Sequence, residues 1–307
     1  MFGAVALGFL MASGVASCGD DDDSVIDYTK PDPEPEAVDS TDNPTTEEPK
    51  MSIFLCFGQS NMEGNAAVED QDRVDVPSNF KNMIVAKGDA DHYGAARYTW
   101  RKADPPLARF TTGLTPADYF GRKMVEKLGA DHEVGIVMVA IGGASIEAFE
   151  KDKCKEYCSR TDHADWYKNY LAEYDNNPYG VLVTAAKAAQ KSGVIRGILL
   201  HQGETNNTDP TWPETVKAIY NNLLTDLGLD AAKCPLLAGE MLRQEEGGIC
   251  WGHNAVIATL PTVIPTSYVI SSEGCKGNGV DGFHFCAEGY RILGERYAAK
   301  MISVMNK

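Results

Sequence analysis

From residue 51 onward, the chain alternates between short apolar runs and longer segments with helical spacing. Continuous apolar runs of about four to eight residues are typical of strands that are buried on both faces of a parallel sheet. Five runs fit this description: 51–57, 134–141, 194–200, 235–239 and 268–271. A sixth, shorter candidate strand is the segment 82–86.

The segments between these runs predict helices. Thr115 followed by Pro116 is an N-cap and first-turn pair, and Gly129 ends the same segment. Three more segments have helical spacing: 180–193, 213–228 and 287–305. Repeated strand–helix alternation predicts an α/β fold, namely a three-layer α/β/α sandwich around a five-stranded parallel sheet.

Two motifs directly follow predicted strands; one supplies a serine hydroxyl and the other supplies exposed backbone N–H groups. Ser60 lies in the segment GQSNMEG directly after the first strand. Ligands of open α/β folds bind at this edge of the sheet, so Ser60 is a candidate nucleophile, although the same residues also fit a plain turn. Gly142 and Gly143 follow the strand at 134–141. Paired glycines expose backbone N–H groups, which an oxyanion hole requires, or they form a tight turn.

Two further motifs contribute an amide, carboxylates and a base. HQGE places Gln202 and Glu204 after the strand at 194–200. In DGFH, Asp281 lies three residues before His284, so the carboxylate can hold one imidazole nitrogen while the other faces a hydroxyl. Each motif alone also fits a capping or loop role. Together, on different strand ends, the four motifs predict nucleophilic catalysis.

These segments resemble the sequence blocks of the SGNH hydrolase superfamily. GQSNMEG, IGGASIEAF, HQGE and DGFHFCAEGYRILGERYA occur in that order, and they are most similar to carbohydrate esterase family 6, the sialate O-acetylesterase-like domain of acetylxylan esterase type. The resemblance covers residues 52–301. It implies an SGNH-type esterase domain over 51–307 that hydrolyses O-acetyl esters of carbohydrate without a metal or cofactor.

The resemblance also implies a role for each matched residue. Ser60 is the expected nucleophile, and His284, oriented by Asp281, is the expected base. The expected oxyanion hole has three donors: the N–H of Ser60, the N–H of Gly143 (or Gly142) and the side-chain amide of Gln202. Glu204 is expected to support neighbouring groups, with the alternative that it replaces Asp281 as the main acid of the triad.

The charge of the chain is concentrated near its N-terminus. The 307 residues hold 44 Asp and Glu against 28 Lys and Arg, a net charge of −16. Residues 19–50 alone hold twelve acidic residues and two lysines. This acidity argues against a nucleic-acid partner, which needs clustered Lys and Arg, and against a basic membrane-surface patch.

Residues 1–18 predict a lipoprotein signal segment. They are small and apolar, too short to span a bilayer, and end in VASC, which resembles the bacterial lipobox. Cys18 would then be lipidated and anchor the protein to the outer membrane. The alternative is an ordinary signal peptide followed by an incidental cysteine.

The acidic, proline-rich segment 19–50 predicts a disordered linker. The acidic run at 20–23 resembles the export signal of Bacteroidetes surface lipoproteins, or is a solvated tail. The expected location is therefore the outer membrane and cell surface of a bacterium.

Seven cysteines remain after Cys18. Cys56 lies inside the first predicted strand and is expected to be a buried free thiol. The other six form local pairs that are expected to be disulfides in an exported protein, unless all stay reduced. The pairs are Cys154 with Cys158, Cys234 with Cys250, and Cys275 with Cys286.

Three functions remain open on the sequence. The first is a surface-tethered O-acetylesterase for acetylated polysaccharide, above all xylan. The second is a sialate O-acetylesterase or an esterase for larger acyl groups. Anionic sialate would favour an arginine-lined pocket, and four arginines are candidates for it: Arg97, Arg101, Arg109 and Arg243. The third is a non-catalytic glycan-binding lipoprotein, against which intact Ser60, Asp281 and His284 argue.

Overall fold

A seven-stranded sheet organises the part of the chain that the computed structural model describes, residues 51–305. Its strands are β1 (Met51–Gly58), β2 (Phe80–Met83), β3 (Trp100–Lys102), β4 (Glu133–Ala140), β5 (Val194–His201), β6 (Leu236–Gly239) and β7 (Ser267–Ile270). They lie in the order β3-β2-β4-β1-β5-β6-β7. The signal segment and linker expected at 1–18 and 19–50 lie outside the described residues.

The five-stranded, all-parallel sheet expected from the sequence is wrong. The five apolar runs do form parallel strands, namely β1, β4, β5, β6 and β7. β2 begins two residues before the candidate at 82–86, and β3 pairs with β2 in antiparallel orientation. β3 has no apolar run, because Arg101 and Lys102 make up two of its three residues. Charged residues are common on edge strands, so hydrophobicity alone does not find this one.

Eleven α-helices connect and cover the described strands. They are α1 (Ser60–Glu63), α2 (Asp70–Arg73), α3 (Lys87–Tyr93), α4 (Pro116–Leu128), α5 (Cys154–Cys158), α6 (Asp165–Glu173), α7 (Pro178–Ala189), α8 (Trp212–Leu227), α9 (Asn254–Ile257), α10 (Leu260–Val263) and α11 (Ala287–Met305). The four predicted helices are α4, α7, α8 and α11. Thr115 caps α4 as predicted, because its hydroxyl accepts the N–H of Ala117 at 3.3 Å. Within residues 51–305, no helix is both long and apolar enough to cross a bilayer.

Side chains of β1 alternate between two cores, which defines the layers. Phe54 and Cys56 face the core that includes residues of α4 and α11. The ring of Phe54 meets that of Phe120 edge-on, with centroids 4.9 Å apart. Ile53 and Leu55 face the opposite core, which includes residues of α7 and α8. The predicted three-layer sandwich is therefore confirmed, and each fully buried side chain of this kind stabilises it by about 2 kcal/mol.

The carboxyl ends of β4, β1 and β5 meet at one edge of the sheet. Gly58 at the end of β1 is paired with Ala140 on one side and His201 on the other. A Cβ atom at Gly58 would lie 2.1 Å from the carbonyl oxygen of His201, so only glycine fits there. The loops after the three strands consequently converge, and they bring together the segments 59–63, 142–143 and 202–204.

The three disulfides expected from the sequence are not formed in this structure. All seven described cysteines are free thiols, including buried Cys56 as predicted. The expectation is therefore wrong for each of the six paired cysteines: Cys154 and Cys158, Cys234 and Cys250, and Cys275 and Cys286. Cys250 and Cys275 have other hydrogen-bond partners in space, whereas Cys154 and Cys158 contact each other as thiols.

Hydrogen bonds show what engages the thiols instead. The sulfurs of Cys154 and Cys158 share a hydrogen bond one helical turn apart in α5. The Cys250 thiol, which was expected to bridge to buried Cys234, donates to the carbonyl of Glu204 at 3.8 Å. Burial raises the pKa of Cys234 to about 12, so its thiol stays protonated.

Cys286 and Cys275 likewise remain separate thiols. Cys286 is half-buried, directly before α11, and forms no disulfide with Cys275. The sulfur of Cys275 instead accepts a hydrogen bond from Arg296 at 3.6 Å. Burial raises the pKa of Cys275 to about 11, so this thiol also stays protonated. The loop that carries Asp281 and His284 is thus closed without the covalent brace that the sequence predicted.

Candidate active site

Ser60, His284 and Asp281 form a hydrogen-bonded row at the sheet edge. Ser60 is the first residue of α1, directly after β1. Nε2 of His284 lies 2.8 Å from the Ser60 hydroxyl, and Nδ1 of His284 lies 2.7 Å from Oδ2 of Asp281. An imidazole that donates its Nδ1 hydrogen to a carboxylate presents Nε2 as a proton acceptor. The structure thus brings together the three residues that the sequence nominated, in the order that acyl transfer requires.

Asp281 is held by its own loop. Oδ1 accepts the N–H groups of Phe283 at 2.8 Å and His284 at 3.1 Å, and Oδ2 accepts from the Asn278 amide at 3.2 Å. Burial acts to raise the pKa of Asp281. The hydrogen bonds from His284, Phe283 and Asn278 outweigh burial and lower this pKa to about 2. The carboxylate is therefore ionised at neutral and mildly acidic pH.

Two backbone N–H groups are available as oxyanion donors, those of Ser60 and Gly143. Both residues line the pocket described below. No acceptor among residues 51–305 engages either N–H; the first N–H groups of a helix such as α1 have no intrahelical partner. The N–H of Gly142 instead donates to Oε2 of Glu63 at 3.0 Å. Of the two glycines expected for this role, Gly143 is the one with a free donor.

The Gln202 amide, expected as the third oxyanion donor, is engaged elsewhere. Its Nε2 lies 3.1 Å from Oε1 of Gln59, 3.2 Å from the Ala144 carbonyl and 2.6 Å from Oδ1 of Asn206. Its Oε1 accepts the indole N–H of Trp212 at 2.5 Å, which fixes the orientation of the amide. Gln202 is 1% exposed and does not line the pocket. In this structure it braces the loops around the site.

Gln59 is a donor that the sequence analysis missed. Its Oε1 accepts the N–H groups of Gly203 at 3.3 Å and Thr205 at 3.2 Å, so the side-chain oxygen must face these two donors. Its Nε2 has no acceptor among the described residues, and Gln59 lines the pocket beside Ser60. The available signal was its place directly before Ser60. The Nε2 group is free to donate to a bound substrate.

Glu63, at the end of α1, joins three segments of the site. Oε2 accepts the N–H of Gly142, and Oε1 accepts from Arg109 at 3.0 Å and 2.5 Å. The guanidinium of Arg109 stacks on the ring of Tyr170, 3.9 Å from its centroid. Burial acts to lower the pKa of Arg109, but Glu63 holds it above its ordinary value. No sequence pattern indicates this pair, whose partners lie far apart in the chain.

Glu204 lies in the pocket without touching the base. Its Oε1 accepts from the amide of Asn61, and its Oε2 has no hydrogen-bond partner among the described residues. Burial raises the pKa of Glu204, against the opposing effects of Asn61 and His284. Asn61 in turn accepts from the Tyr290 hydroxyl at 2.6 Å. Nδ1 of His284 is hydrogen-bonded to Asp281, so Asp281 is the acidic residue that orients His284. Glu204 instead supports the side chain of Asn61.

A pocket of about 500 Å³ opens over Ser60 and His284. Its rim is aromatic, because Trp166 is 53% exposed and Phe283 is 36% exposed. Its lining contains two carboxylates, those of Glu63 and Glu204, and no lysine or arginine from the described residues. Within the described part of the chain, no group of three His, Cys, Asp or Glu residues is arranged to hold a metal ion.

The four arginines considered for an anionic substrate do not line this pocket. Each one is engaged elsewhere: Arg97 with Val85 and Asp175, Arg101 with the carbonyls of Lys102, Asp104 and Pro106, Arg109 with Glu63, and Arg243 with Glu240. Arg109 comes nearest, but Glu63 neutralises its charge. The arginine-lined pocket expected for sialate is therefore absent from the described residues.

Comparison with known proteins identifies relatives of this chain. Residues 50–303 match the family model described as carbohydrate esterase, sialic acid-specific acetylesterase. The fold is similar to that of a protein from Arabidopsis thaliana, with 20% identity and a TM-score of 0.59 over 83% of this chain and 98% of that chain.

Two further solved structures share the fold. A carbohydrate acetylesterase from Xanthomonas citri has 18% identity and a TM-score of 0.56, over 83% of this chain and 57% of that one. NanS has 14% identity and a TM-score of 0.61, over 83% of this chain and 98% of that one. Identities this low establish a common architecture.

Proposed function

Because this chain belongs to the carbohydrate esterase family of sialic acid-specific acetylesterases and is a carbohydrate O-acetylesterase, we propose that it removes O-acetyl groups from an uncharged polysaccharide, with acetylated xylan as the expected substrate. The observation that carries this substrate class is the lack of a cationic side chain among the described residues that line the pocket over Ser60. Its lining has two carboxylates and, among the described residues, no lysine or arginine. The sequence blocks similar to acetylxylan esterases support xylan in particular.

The first half of the proposed reaction forms an acetyl-enzyme. The Ser60 hydroxyl attacks the acetyl carbonyl while Nε2 of His284 takes its proton. The N–H groups of Ser60 and Gly143 stabilise the oxyanion, and losing one such donor costs about 3 kcal/mol of transition-state stabilisation. His284 then gives the proton to the departing sugar oxygen, which leaves as an alcohol.

The second half returns the enzyme to its starting state. Water enters in place of the sugar, and His284 takes a proton from it as its oxygen attacks the acetyl carbonyl. The proton returns to Ser60, and acetate is released. In both halves the Asp281 carboxylate holds the imidazole in the required tautomer and stabilises the imidazolium.

The lining of the pocket disfavours an anionic sugar. Among the described residues it offers the carboxylate of sialic acid no lysine or arginine to pair with, because Arg109 lies outside the lining and is already paired with Glu63. Unpaired charge in a partly desolvated site is costly. A sialate O-acetylesterase is the second candidate, because the family description names sialic acid.

The experiment compares acetate release from acetylated xylan and from an O-acetylated sialoside at equal ester concentration. We expect kcat/KM for xylan to be larger by at least about tenfold, equivalent to about 1.4 kcal/mol. Ser60→Ala should abolish release from both while circular dichroism shows an intact fold. A preference for the sialoside would favour the second candidate, and a folded, active Ser60→Ala variant would reject the mechanism.

We also propose that the protein is a surface lipoprotein anchored through Cys18, with residues 19–50 as a tether. This proposal rests on the sequence alone, because these residues lie outside the described part of the chain. A tethered esterase would meet polymeric substrates at the cell surface.

A further inference from the structure

A second cavity of about 320 Å³ adjoins the pocket over Ser60. Glu63, Asn65 and Tyr170 line both cavities, so the two share a wall. The remaining lining comes from residues 64–67, which follow α1, and from Arg109 and residues 111–113 in the loop before α4. We call this space the outer cavity.

The walls of the outer cavity are preformed by hydrogen bonds between its two loops. The N–H of Gly113 donates to the Gly64 carbonyl at 2.9 Å, and the N–H of Leu114 donates to the Ala66 carbonyl at 2.7 Å. The loops approach so closely that a Cβ atom at Gly113 would lie 2.0 Å from the Ala66 oxygen. Ligand sites are usually formed before binding, and this cavity meets that condition.

The chemistry of the outer cavity suits an uncharged, hydroxyl-rich ligand. The charge of Arg109 is balanced by Glu63 at hydrogen-bond distance. The side chains of Asn65 and Thr111 are exposed, and neither has a hydrogen-bond partner among residues 51–305. They therefore offer neutral donors and acceptors to the hydroxyls of a sugar, beside the ring of Tyr170, one face of which is covered by the guanidinium of Arg109.

We propose that the outer cavity is a subsite for a sugar unit next to the acetylated one, so that the enzyme prefers oligomeric to monomeric substrates. The inference rests on the proposed function and deepens it. When the acetylated sugar ring lies over Ser60, the oligosaccharide passes Asn65 and Tyr170, and its next sugar unit enters the outer cavity. Contacts remote from the reacting ester then raise kcat/KM for the oligomer above that for a small ester.

The test fills the outer cavity and leaves Ser60 and His284 untouched. Ala67 is exposed and lines this cavity alone, so Ala67→Trp occupies its space. The matched control is Ala130→Trp, an exposed position just after α4 that lines neither cavity. Both variants and wild type are assayed on p-nitrophenyl acetate and on acetylated xylotetraose. A third variant, Thr111→Ala, removes one hydroxyl of the lining.

We expect Ala67→Trp to lower kcat/KM for the tetraose by at least about tenfold and to stay within about twofold of wild type on the small ester. Activity on the small ester also shows that the variant is folded. Thr111→Ala should lose roughly threefold on the tetraose alone, as expected for one hydrogen bond. Ala130→Trp should match wild type on both substrates.

Two failures are distinguishable. If wild type deacetylates the tetraose and Ala67→Trp does so equally well, or loses activity equally on both substrates, the subsite is rejected and the proposed function stands. If wild type hydrolyses p-nitrophenyl acetate but releases no acetate from the tetraose or from xylan, the proposed function is rejected and the subsite with it.

Discussion

Oε2 of Glu63 accepts the backbone N–H of Gly142 at 3.0 Å, and this bond ties the helix that begins with Ser60 to the turn that carries Gly143. The nucleophile and the second oxyanion donor therefore lie at opposite ends of one short covalent and hydrogen-bonded path. Arg109 holds the other oxygen of the same carboxylate. The relative position of Ser60 and Gly143 therefore depends on a buried ion pair.

The first prediction concerns this ion pair. Glu63→Gln leaves one side-chain oxygen for two sets of donors, so either Gly142 or Arg109 loses its acceptor. We expect kcat on p-nitrophenyl acetate to fall by about 10–100-fold while KM changes by less than about threefold, because the donor that shifts acts in the transition state. Steady-state kinetics on the small ester measure both constants.

A matched control for Glu63→Gln is Glu126→Gln. The side chain of Glu126 lies on α4 and is 70% exposed, so this substitution should change neither kcat nor KM. Arg109→Lys keeps the charge opposite Glu63 and should lose less kcat than Glu63→Gln. Stability in urea separates lost folding from lost positioning, since breaking a buried pair costs about 3–5 kcal/mol. A rise in KM at unchanged kcat would contradict the positioning role.

The second prediction distinguishes the two acids near His284. Asp281→Asn should lower turnover by about 10⁴-fold at neutral pH, because the wrong imidazole tautomer forms. Glu204→Gln should lower turnover by only about 10–100-fold, by analogy with residues that hydrogen-bond to the side chains that ligate a metal. Both variants are compared on one soluble acetate ester, with circular dichroism as the folding check. A much larger loss in Glu204→Gln would reverse these roles.

The third prediction is a pH dependence of stability. Burial lowers the pKa of His253 from 6.5 to about 4, so the folded protein keeps this imidazole neutral where the unfolded chain protonates it. The contribution of His253 is therefore complete above about pH 6.5 and is lost as the pH falls toward 4. Between pH 7 and 5, the loss of unfolding free energy should be about 2 kcal/mol larger in wild type than in His253→Gln, in which buried His201 still contributes its own loss.

Urea titrations at the two pH values measure this difference. His92→Gln is the matched control for replacing a histidine by glutamine, because the side chain of His92 is exposed. Equal losses in wild type and His253→Gln would show that His253 is not the source of the effect.

The fourth prediction concerns the lipid anchor. The mature protein should begin at Cys18, carry acyl chains there and partition into detergent, because VASC resembles a lipobox. Cys18→Ala should give a soluble or retained precursor. Mass spectrometry of the N-terminal peptide from membranes is decisive, and an unmodified Cys18 on membrane-bound protein would dismiss the lipoprotein hypothesis.

Features that depend on residues close together in the sequence were predictable. Five of the six parallel strands coincide with apolar runs of the sequence, and the cap of α4 follows from Thr115 and Pro116 alone. Asp281 and His284 are three residues apart, so their contact depends on one local loop. The convergence of Ser60 on that loop required only that parallel strands end at one edge.

Features that depend on side-chain orientation were not predictable. The role of Gln202 is decided by the indole of Trp212, which reaches it from α8 and turns its amide away from the pocket. Glu63 and Arg109 are joined across 46 positions of the chain, and no periodicity reports such a pair. β3 was missed for a related reason, because an edge strand pairs through its backbone and carries no hydrophobic signature.

The cysteines illustrate the same limit. Cys275 and Cys286 are close in sequence, which suggested a bridge, but closeness along the chain does not determine where a thiol points. In the structure both are free, and the Cys275 sulfur faces Arg296 of α11. Disulfide geometry depends on the directions of both side chains, which no spacing rule supplies.

The loop of Asp281 and His284 has a consequence for how this enzyme can diversify. Among the described residues, every hydrogen bond to the Asp281 carboxylate comes from within 278–284, and the N–H of Asn278 closes the loop on the His284 carbonyl at 2.8 Å. Acid and base are thus oriented by one short loop, which the Asn61 amide and the Ile249 N–H fasten to neighbouring segments through the carbonyls of Phe283 and Gly282. Loops that do not contact this segment can be exchanged, by evolution or by an engineer seeking new glycan specificity, while proton transfer is left intact.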